Sequence, residues 1–251
     1  MAIPIKTAAE IQSMRKGGKI LAATLEECIK RAKAGVSTYE LDQFAEEFIR
    51  SKGGIPAFKG YHGFPGTLCT AINEVIVHGI PKSTEILKEG DLFTVDCGVI
   101  FDGLYTDAAR TITIGTPSAE AAKLLETAHT ALEAGINAAK PGNYTNEIGA
   151  AIENVVRKAG YHIIQDLTGH GIGKTLHEEP VVLNYKDSDR GPILKAGMTI
   201  AIEPIFAAGT DEMVTLNDGW TIVTKDRSLA IQIENTVLIT ESGSEILTKT
   251  G

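Results

Sequence analysis

The sequence lacks the features that would place it outside the cell or in a membrane. Its 251 residues contain only three cysteines, Cys28, Cys69 and Cys97. That odd, small number cannot build a disulfide framework and suits reduced thiols in a cytosol. No apolar run approaches the roughly 18 residues that a membrane span requires. The opening Met1-Ala2-Ile3-Pro4-Ile5-Lys6 has no basic stretch followed by an apolar core, so no secretory signal is expected. Blocks of Lys or Arg are also missing, and the net charge is −8. Nucleic acid and acidic membrane surfaces are therefore excluded as first partners. What is present, 43% hydrophobic and 22% charged residues, is ordinary for a soluble globular chain. Disorder, collagen-like repeats and a disulfide scaffold are ruled out.

The chain repeats itself. Residues 33–54 align without gaps on residues 140–161, with identities at Lys33/Lys140, Gly35/Gly142, Thr38/Thr145, Glu40/Glu147, Glu46/Glu153, Arg50/Arg157 and Gly53/Gly160. Each copy reads as a glycine turn, a Ser/Thr cap with a carboxylate in the first turn, and an amphipathic helix. At the same offset of 107, Leu87-Lys88-Glu89-Gly90 meets Leu194-Lys195-Ala196-Gly197, and Asp96 meets Glu203. Two homologous halves, about 1–115 and 116–251, are expected within a single domain of residues 1–251. A pseudo-twofold axis between them would bring Asp96 and Glu203 together.

Helical spacing of apolar residues predicts helices over 8–33, 38–52, 118–139 and 145–159. Strands are predicted over 92–101, 104–114, 198–206, 213–216, 220–225 and 229–240, with tight turns at Asp102-Gly103 and Asp218-Gly219. The resulting fold class is α+β, with helices packed on an antiparallel sheet. A two-residue turn at 102–103 makes residue i face residue 205 − i. Gly98 then faces Asp107, and Asp96 becomes its diagonal neighbour on the same side, about 7–8 Å away.

Three acids end apolar runs: Asp96 after 92–95, Glu203 after 198–202 and Glu234 after 230–233. An unpaired carboxylate in such a strand costs several kcal/mol. Yet residues 92–109, 198–210 and 229–240 contain no Lys or Arg. With Asp107, four carboxylates converge without local cations, and two divalent metals would supply the missing charge. His170, in the glycine-rich Thr168-Gly169-His170-Gly171-Ile172-Gly173, is expected on a flexible loop. His78 and His177, flanked by Gly and Pro, are expected on loops over the site. His62, His129 and His162 read as surface or capping residues. One imidazole among four carboxylates fits Mn, Fe, Co or Zn better than Ca or Mg.

At this point the residues resemble a known family. Tyr61-His62-Gly63-Phe64-Pro65, the run from Ile72 to Pro81, Asp96-Cys97-Gly98 and Tyr105-Thr106-Asp107 carry the likeness through the first half. Gly169-His170-Gly171-Ile172-Gly173, His177-Glu178-Glu179-Pro180, Ile202-Glu203-Pro204 and Gln232-Ile233-Glu234-Asn235-Thr236 carry it through the second. Together they resemble type I methionine aminopeptidases of the pita-bread fold, over essentially the whole chain. The resemblance implies a metallo-exopeptidase that removes N-terminal methionine ahead of a small second residue, with nascent polypeptides as substrates. It implies two divalent ions of the Co, Mn, Fe, Zn or Ni class, held by Asp96, Asp107, His170, Glu203 and Glu234. In that pattern Asp107 and Glu234 bridge both ions, Asp96 holds one, and His170 with Glu203 holds the other.

By the same resemblance a metal-bridging hydroxide attacks the methionine carbonyl. Glu203 is then the general base, His177 meets the oxyanion, and His78 orients the scissile amide. The side chain would lie among Tyr61, Phe64, Cys69, Trp220, Phe58 and Leu176. A cytoplasmic monomer working near the ribosome, without direct nucleic-acid or membrane binding, is the implied setting. The alternatives are an Xaa-Pro aminopeptidase or prolidase, whose large preceding domain 251 residues would not hold, and a non-catalytic binding relative. Three positions depart from the pattern: Asn235 where relatives often have histidine, Leu176 where many have phenylalanine, and Phe58 where many have cysteine.

Overall fold

The computed structural model describes residues 3–249. Helix α1 (Ala8–Arg31) starts at Thr7, whose hydroxyl accepts the Glu10 N–H at 3.3 Å while the Glu10 carboxylate accepts the Thr7 N–H at 2.7 Å. This reciprocal bond satisfies two donors that a helix start leaves orphaned. Helix α2 (Thr38–Ser51) repeats it with Ser37 and Glu40, at 3.2 and 2.8 Å. Helix α3 (Ala119–Ala138) is capped by Ser118. Helix α4 (Thr145–Ala159) departs from the expected Ser/Thr cap: its cap position is Tyr144, whose side chain makes no capping bond. Only the carboxylate half survives, with Tyr144 N–H donating to Glu147 at 3.1 Å.

All pairings between the strands are antiparallel. In the first half, Leu92–Phe101 pairs with Leu68–Ile72, Ile55–Pro56 and Leu104–Thr113. The hairpin turns at Asp102 and Gly103, both at positive φ (51° and 75°), and keeps the predicted register without a bulge. In the second half a five-stranded sheet runs Ser244–Ile246, Asn235–Ile239, Thr199–Ile202, Gly169–Gly171, Glu178–Val182. Two three-stranded sheets complete the structure.

Two predicted strands are each broken in the middle. Residues 198–206 form Thr199–Ile202 and Ile205–Ala207, while 229–240 form Ala230–Gln232 and Asn235–Ile239. The breaks fall at Glu203-Pro204 and Ile233-Glu234. Pro204 has no N–H to give a ladder, and the chain passes there from one sheet to the next. Periodicity alone does not register such a change of sheet.

The 107-residue offset recurs in the backbone hydrogen bonds. Gly35 N–H donates to Leu87 O and Gly142 N–H to Leu194 O, both at 2.9 Å. Ala57 N–H donates to Gly98 O at 2.9 Å, as Ile164 N–H does to Ile205 O at 3.2 Å. Two buried apolar clusters accompany this pattern. Leu21, Leu25, Leu41 and Ile49 of α1 and α2 cover Phe93, Val95, Cys97 and Val99. Leu124, Ile148 and Ile152 of α3 and α4 cover Ile200, Ile202, Phe206 and Ile231. With the helices outside, the polar faces of the strands are left to meet each other.

Candidate metal centre

The contact between the strands Leu104–Thr113 and Asn235–Ile239 forms the seam on which the site is assembled. Asp107 N–H donates to the Thr236 hydroxyl at 2.9 Å, which donates back to Asp107 O at 2.7 Å. Glu234 N–H reaches Ala109 O at 3.1 Å. These bonds set the first hairpin against the strand after Glu234. Asp96 faces Ala109 and Gly98 faces Asp107, so the two aspartates are diagonal on one side of the hairpin, as the two-residue turn requires. Within 199–239, on the far side of the seam, Ile202 faces Asn235 and Ile205 faces Gln232. The register is the same on both sides of the break, so Glu203 lies opposite Glu234.

His170 is placed differently from expectation. It sits in the strand Gly169–Gly171 inside the five-stranded sheet, not on a flexible loop. Its neighbours approach closely: a Cβ on Gly169 would meet Ala201 O at 2.4 Å, and one on Gly171 would meet Glu179 O at 2.1 Å. The glycines therefore allow tight strand packing rather than mobility. His170 faces Ala201, two residues before Glu203, and its Nε2 is 3.6 Å from Glu203 Oε1. Its Nδ1–H donates to Gly171 O at 2.8 Å, which leaves the Nε2 lone pair pointing into the cluster. His177 follows the turn after Gly173, and the Tyr61 hydroxyl lies 3.0 Å from its Nδ1. His78 lies beyond Val75–Val77 at a positive φ of 59°. Both are on loops, as expected.

No Lys or Arg pairs with the four carboxylates among the described residues. Arg110, one residue past the cation-free stretch, lies behind them. Its Nη1 donates to Glu234 O at 2.6 Å and Ala109 O at 2.9 Å, and its Nη2 to Asn235 Oδ1 at 2.8 Å and Thr248 O at 2.6 Å. Those donors serve backbone and amide, not carboxylate. Burial pushes Asp96 up to about 7. Burial, then repulsion from Glu234 and Asp96, holds Asp107 well above the usual carboxylate range. Glu203 and Glu234 are raised by burial and by the other acids. Burial and the nearby His177 pull His170 down to about 4, so its imidazole is neutral and free to ligate.

Three oxygens, Asp96 Oδ1, Asp107 Oδ1 and Glu234 Oε1, are buried without a hydrogen-bond partner. Asp107, His170 and Glu234 each present a donor atom, all within 4.8 Å of one another. Orphaned oxygens on neighbouring buried acids are what a divalent cation would satisfy, and the oxygen-rich set with one nitrogen suits first-row ions.

The cluster lies in a cleft of about 960 Å³ that all the residues proposed from sequence line, including Phe58, Tyr61, Phe64, Cys69, Leu176 and Trp220. Phe64 and Trp220 meet edge to face with centroids 5.1 Å apart. Phe58 and Leu176 belong to one buried apolar cluster. Asp218 fixes Trp220 by accepting its N–H at 3.1 Å. Sequence reading passed over His62, Gln232 and Pro4 among the residues here. His62 lines the cleft beside Tyr61, with ring centroids 4.4 Å apart, although it had read as a surface group. Gln232 donates to Glu203 Oε2 at 3.3 Å, and Pro4 reaches the cleft from the N-terminal segment. The position of Gln232 two residues before Glu234 was the one available signal.

An apolar cleft ending on buried acids and a neutral imidazole is the layout of a metal-dependent hydrolase. The model for metallopeptidase family M24 matches residues 12–241, and the chain belongs to that family. It is 48% identical over 246 residues to the methionine aminopeptidase of Clostridium acetobutylicum, covering 98% of each chain. The crystal structure of methionine aminopeptidase from Thermotoga maritima superimposes with a TM-score of 0.97, at 39% identity over 99% of this chain and all of that one. Prolidase from Pyrococcus furiosus matches with a TM-score of 0.79 at 28% identity, over 98% of this chain but 66% of its own. The fold is the pita-bread fold of these peptidases.

Proposed function

We propose that this metallopeptidase hydrolyses the bond after an N-terminal methionine in peptides and nascent proteins whose second residue is small. The observation that carries the reading is the cluster itself: four buried carboxylates that no Lys or Arg among the described residues pairs with, beside an apolar cleft. Likeness to methionine aminopeptidases over nearly their full length supports it over the Xaa-Pro reading. In this reading residues 1–251 act as one catalytic domain formed from two halves. Asp96, Asp107, His170, Glu203 and Glu234 would hold two divalent ions. Bound there, such ions polarise a carbonyl and make water a nucleophile near neutral pH.

The chain's own groups do the rest. The methionine side chain enters among Phe58, Tyr61, Phe64, Cys69, Leu176 and Trp220, where sulfur–aromatic contacts add about 0.3–1.5 kcal/mol each. Glu203, raised by burial and its acidic neighbours, takes the proton from the attacking water and returns it to the leaving amine. Tyr61 holds Nδ1 of His177, so the other ring nitrogen can donate to the oxyanion as it forms. His78 orients the scissile amide. The three buried free thiols support a reducing cytoplasm. We place the enzyme there as a monomer acting on chains that leave the ribosome. The test is cleavage of Met-Ala-Ser and of Xaa-Pro peptides by metal-reconstituted protein. Preferential cleavage of Xaa-Pro would overturn the proposal.

A further inference from the structure

Lys6 and Glu178 form an ion pair in the interior, Nζ to Oε2 at 2.5 Å, with side-chain exposures of 4% and 9%. Lysine is almost never fully buried unless paired. Burying two charges is favourable only when their remaining donors and acceptors are also satisfied. Glu178 meets that condition through a turn. Its second oxygen accepts the backbone N–H groups of Lys174 at 2.6 Å and Thr175 at 3.2 Å. The turn is closed further by Gly173 N–H to Thr175 O at 3.1 Å and by the Thr175 hydroxyl to His177 O at 2.9 Å. It is the turn that carries His177.

The lysine is itself held in place. Its N–H donates to Gly197 O at 2.8 Å, and Thr7, the next residue, caps α1. Its stem crosses Gly173 so closely that a Cβ there would lie 2.2 Å from Lys6 Cε. The exposed pair between Lys174 and Glu10, at 3.2 Å with Lys174 74% exposed, adds little in water. Tyr61 sets the rotation of the His177 ring, but the height of its backbone depends on the turn. The buried pair ties that turn to the segment before α1.

We propose that Lys6, acting through Glu178, is a positioning residue for His177. The N-terminal segment is then part of the catalytic apparatus, although no atom of Lys6 meets the substrate. This rests on the reading of His177 as the group that meets the oxyanion. A misplacement of about 1 Å at such a group costs roughly 100-fold in rate, which gives a buried ion pair a purpose beyond stability.

The experiment measures kcat and KM for Met-Ala-Ser with the full-length, metal-loaded protein. Lys6→Met and the pair Lys6→Met/Glu178→Gln are each compared in the native and His177→Ala backgrounds. The double variant leaves no buried charge unpaired, so it carries the measurement if Lys6→Met alone fails to fold. In the native background, kcat should fall roughly 10- to 100-fold with KM within about twofold and metal content unchanged. With His177→Ala the same changes should cost less than about twofold. Losses of equal size in both backgrounds, or no loss in either, would overturn the clamp. A fully active His177→Ala would instead overturn the reading of His177 on which the clamp rests.

Discussion

Stripping the metal should reverse the way this protein's stability depends on pH. Without cations, the four site carboxylates stay folded by holding protons. Asp96 rises from 3.8 to about 7, chiefly through burial, and Asp107, Glu203 and Glu234 move in the same direction. An acid whose folded value is raised binds more protons folded than unfolded between the two values. Stability from Asp96 is therefore complete below about 4 and is lost as pH rises through about 7, and the other three acids act in the same sense. At about 1.36 kcal/mol per unit, Asp96 alone loses on the order of 4 kcal/mol across that window. For a chain of this size, 1 kcal/mol moves the melting temperature by about 2–4 °C, so the fall is about 8–16 °C.

Bound metal acts in the opposite sense, because ligands must be deprotonated to bind and affinity rises with pH. At a hundredfold excess over Kd it adds about 2.7 kcal/mol. The assay is thermal melting from pH 4 to pH 8 in EDTA and in added Mn or Co, for the native protein and Asp96→Asn. Surface acids with lowered values, such as Glu10, at about 2 through its Thr7 bonds, affect both proteins alike and cancel in the comparison. The chelated native protein should fall with pH more steeply than Asp96→Asn, while the gap opened by metal widens. Parallel curves for the two proteins, or a metal shift independent of pH, would refute the electrostatic account.

Three further outcomes are expected. Phe58→Cys and Leu176→Phe, which touch one buried cluster, should couple by about 0.5–3 kcal/mol in kcat/KM for Met-Ala-Ser; strict additivity would remove Phe58 from the methionine pocket. In a Met-Xaa-Ser series, kcat/KM should drop sharply beyond Val, and equal rates for Met-Leu and Met-Ala would contradict the proposed selectivity. Asn235→Ala removes the acceptor shared by Arg110 at 2.8 Å and the Thr248 hydroxyl at 2.9 Å. It should therefore cost about 1–3 kcal/mol of stability by leaving buried donors unpaired, read as a lower melting temperature with metal present.

Much of the candidate site was legible because most of its clues were local. A hairpin with a two-residue turn has only one register, so the relation of Asp96 to Asp107 follows from Asp102-Gly103 alone. Acids ending apolar runs without a cation nearby are conspicuous in any sequence, and Asp96, Glu203 and Glu234 are such acids. The 107-residue offset, which recurs in the backbone hydrogen bonds, relates Asp96 to Glu203 in the sequence itself. His170 was found for a partly mistaken reason: its glycines read as flexibility, whereas they let Ala201 and Glu179 approach. A glycine serves both purposes, and only its neighbours tell which.

The helices, the strand pattern and the identity of the acids were set by the sequence itself, since caps, turns and periodicity act over a few residues. The breaks at Pro204 and Glu234 were decided by tertiary structure, because they depend on which sheet each strand joins. So was the seam through Thr236 that puts Asp107 beside Glu234. The joining of Lys6 to Glu178 spans 172 residues, and no local pattern links the two partners. A buried charge takes its meaning from whatever the fold brings within a few ångströms of it, and that is a property of the packed chain.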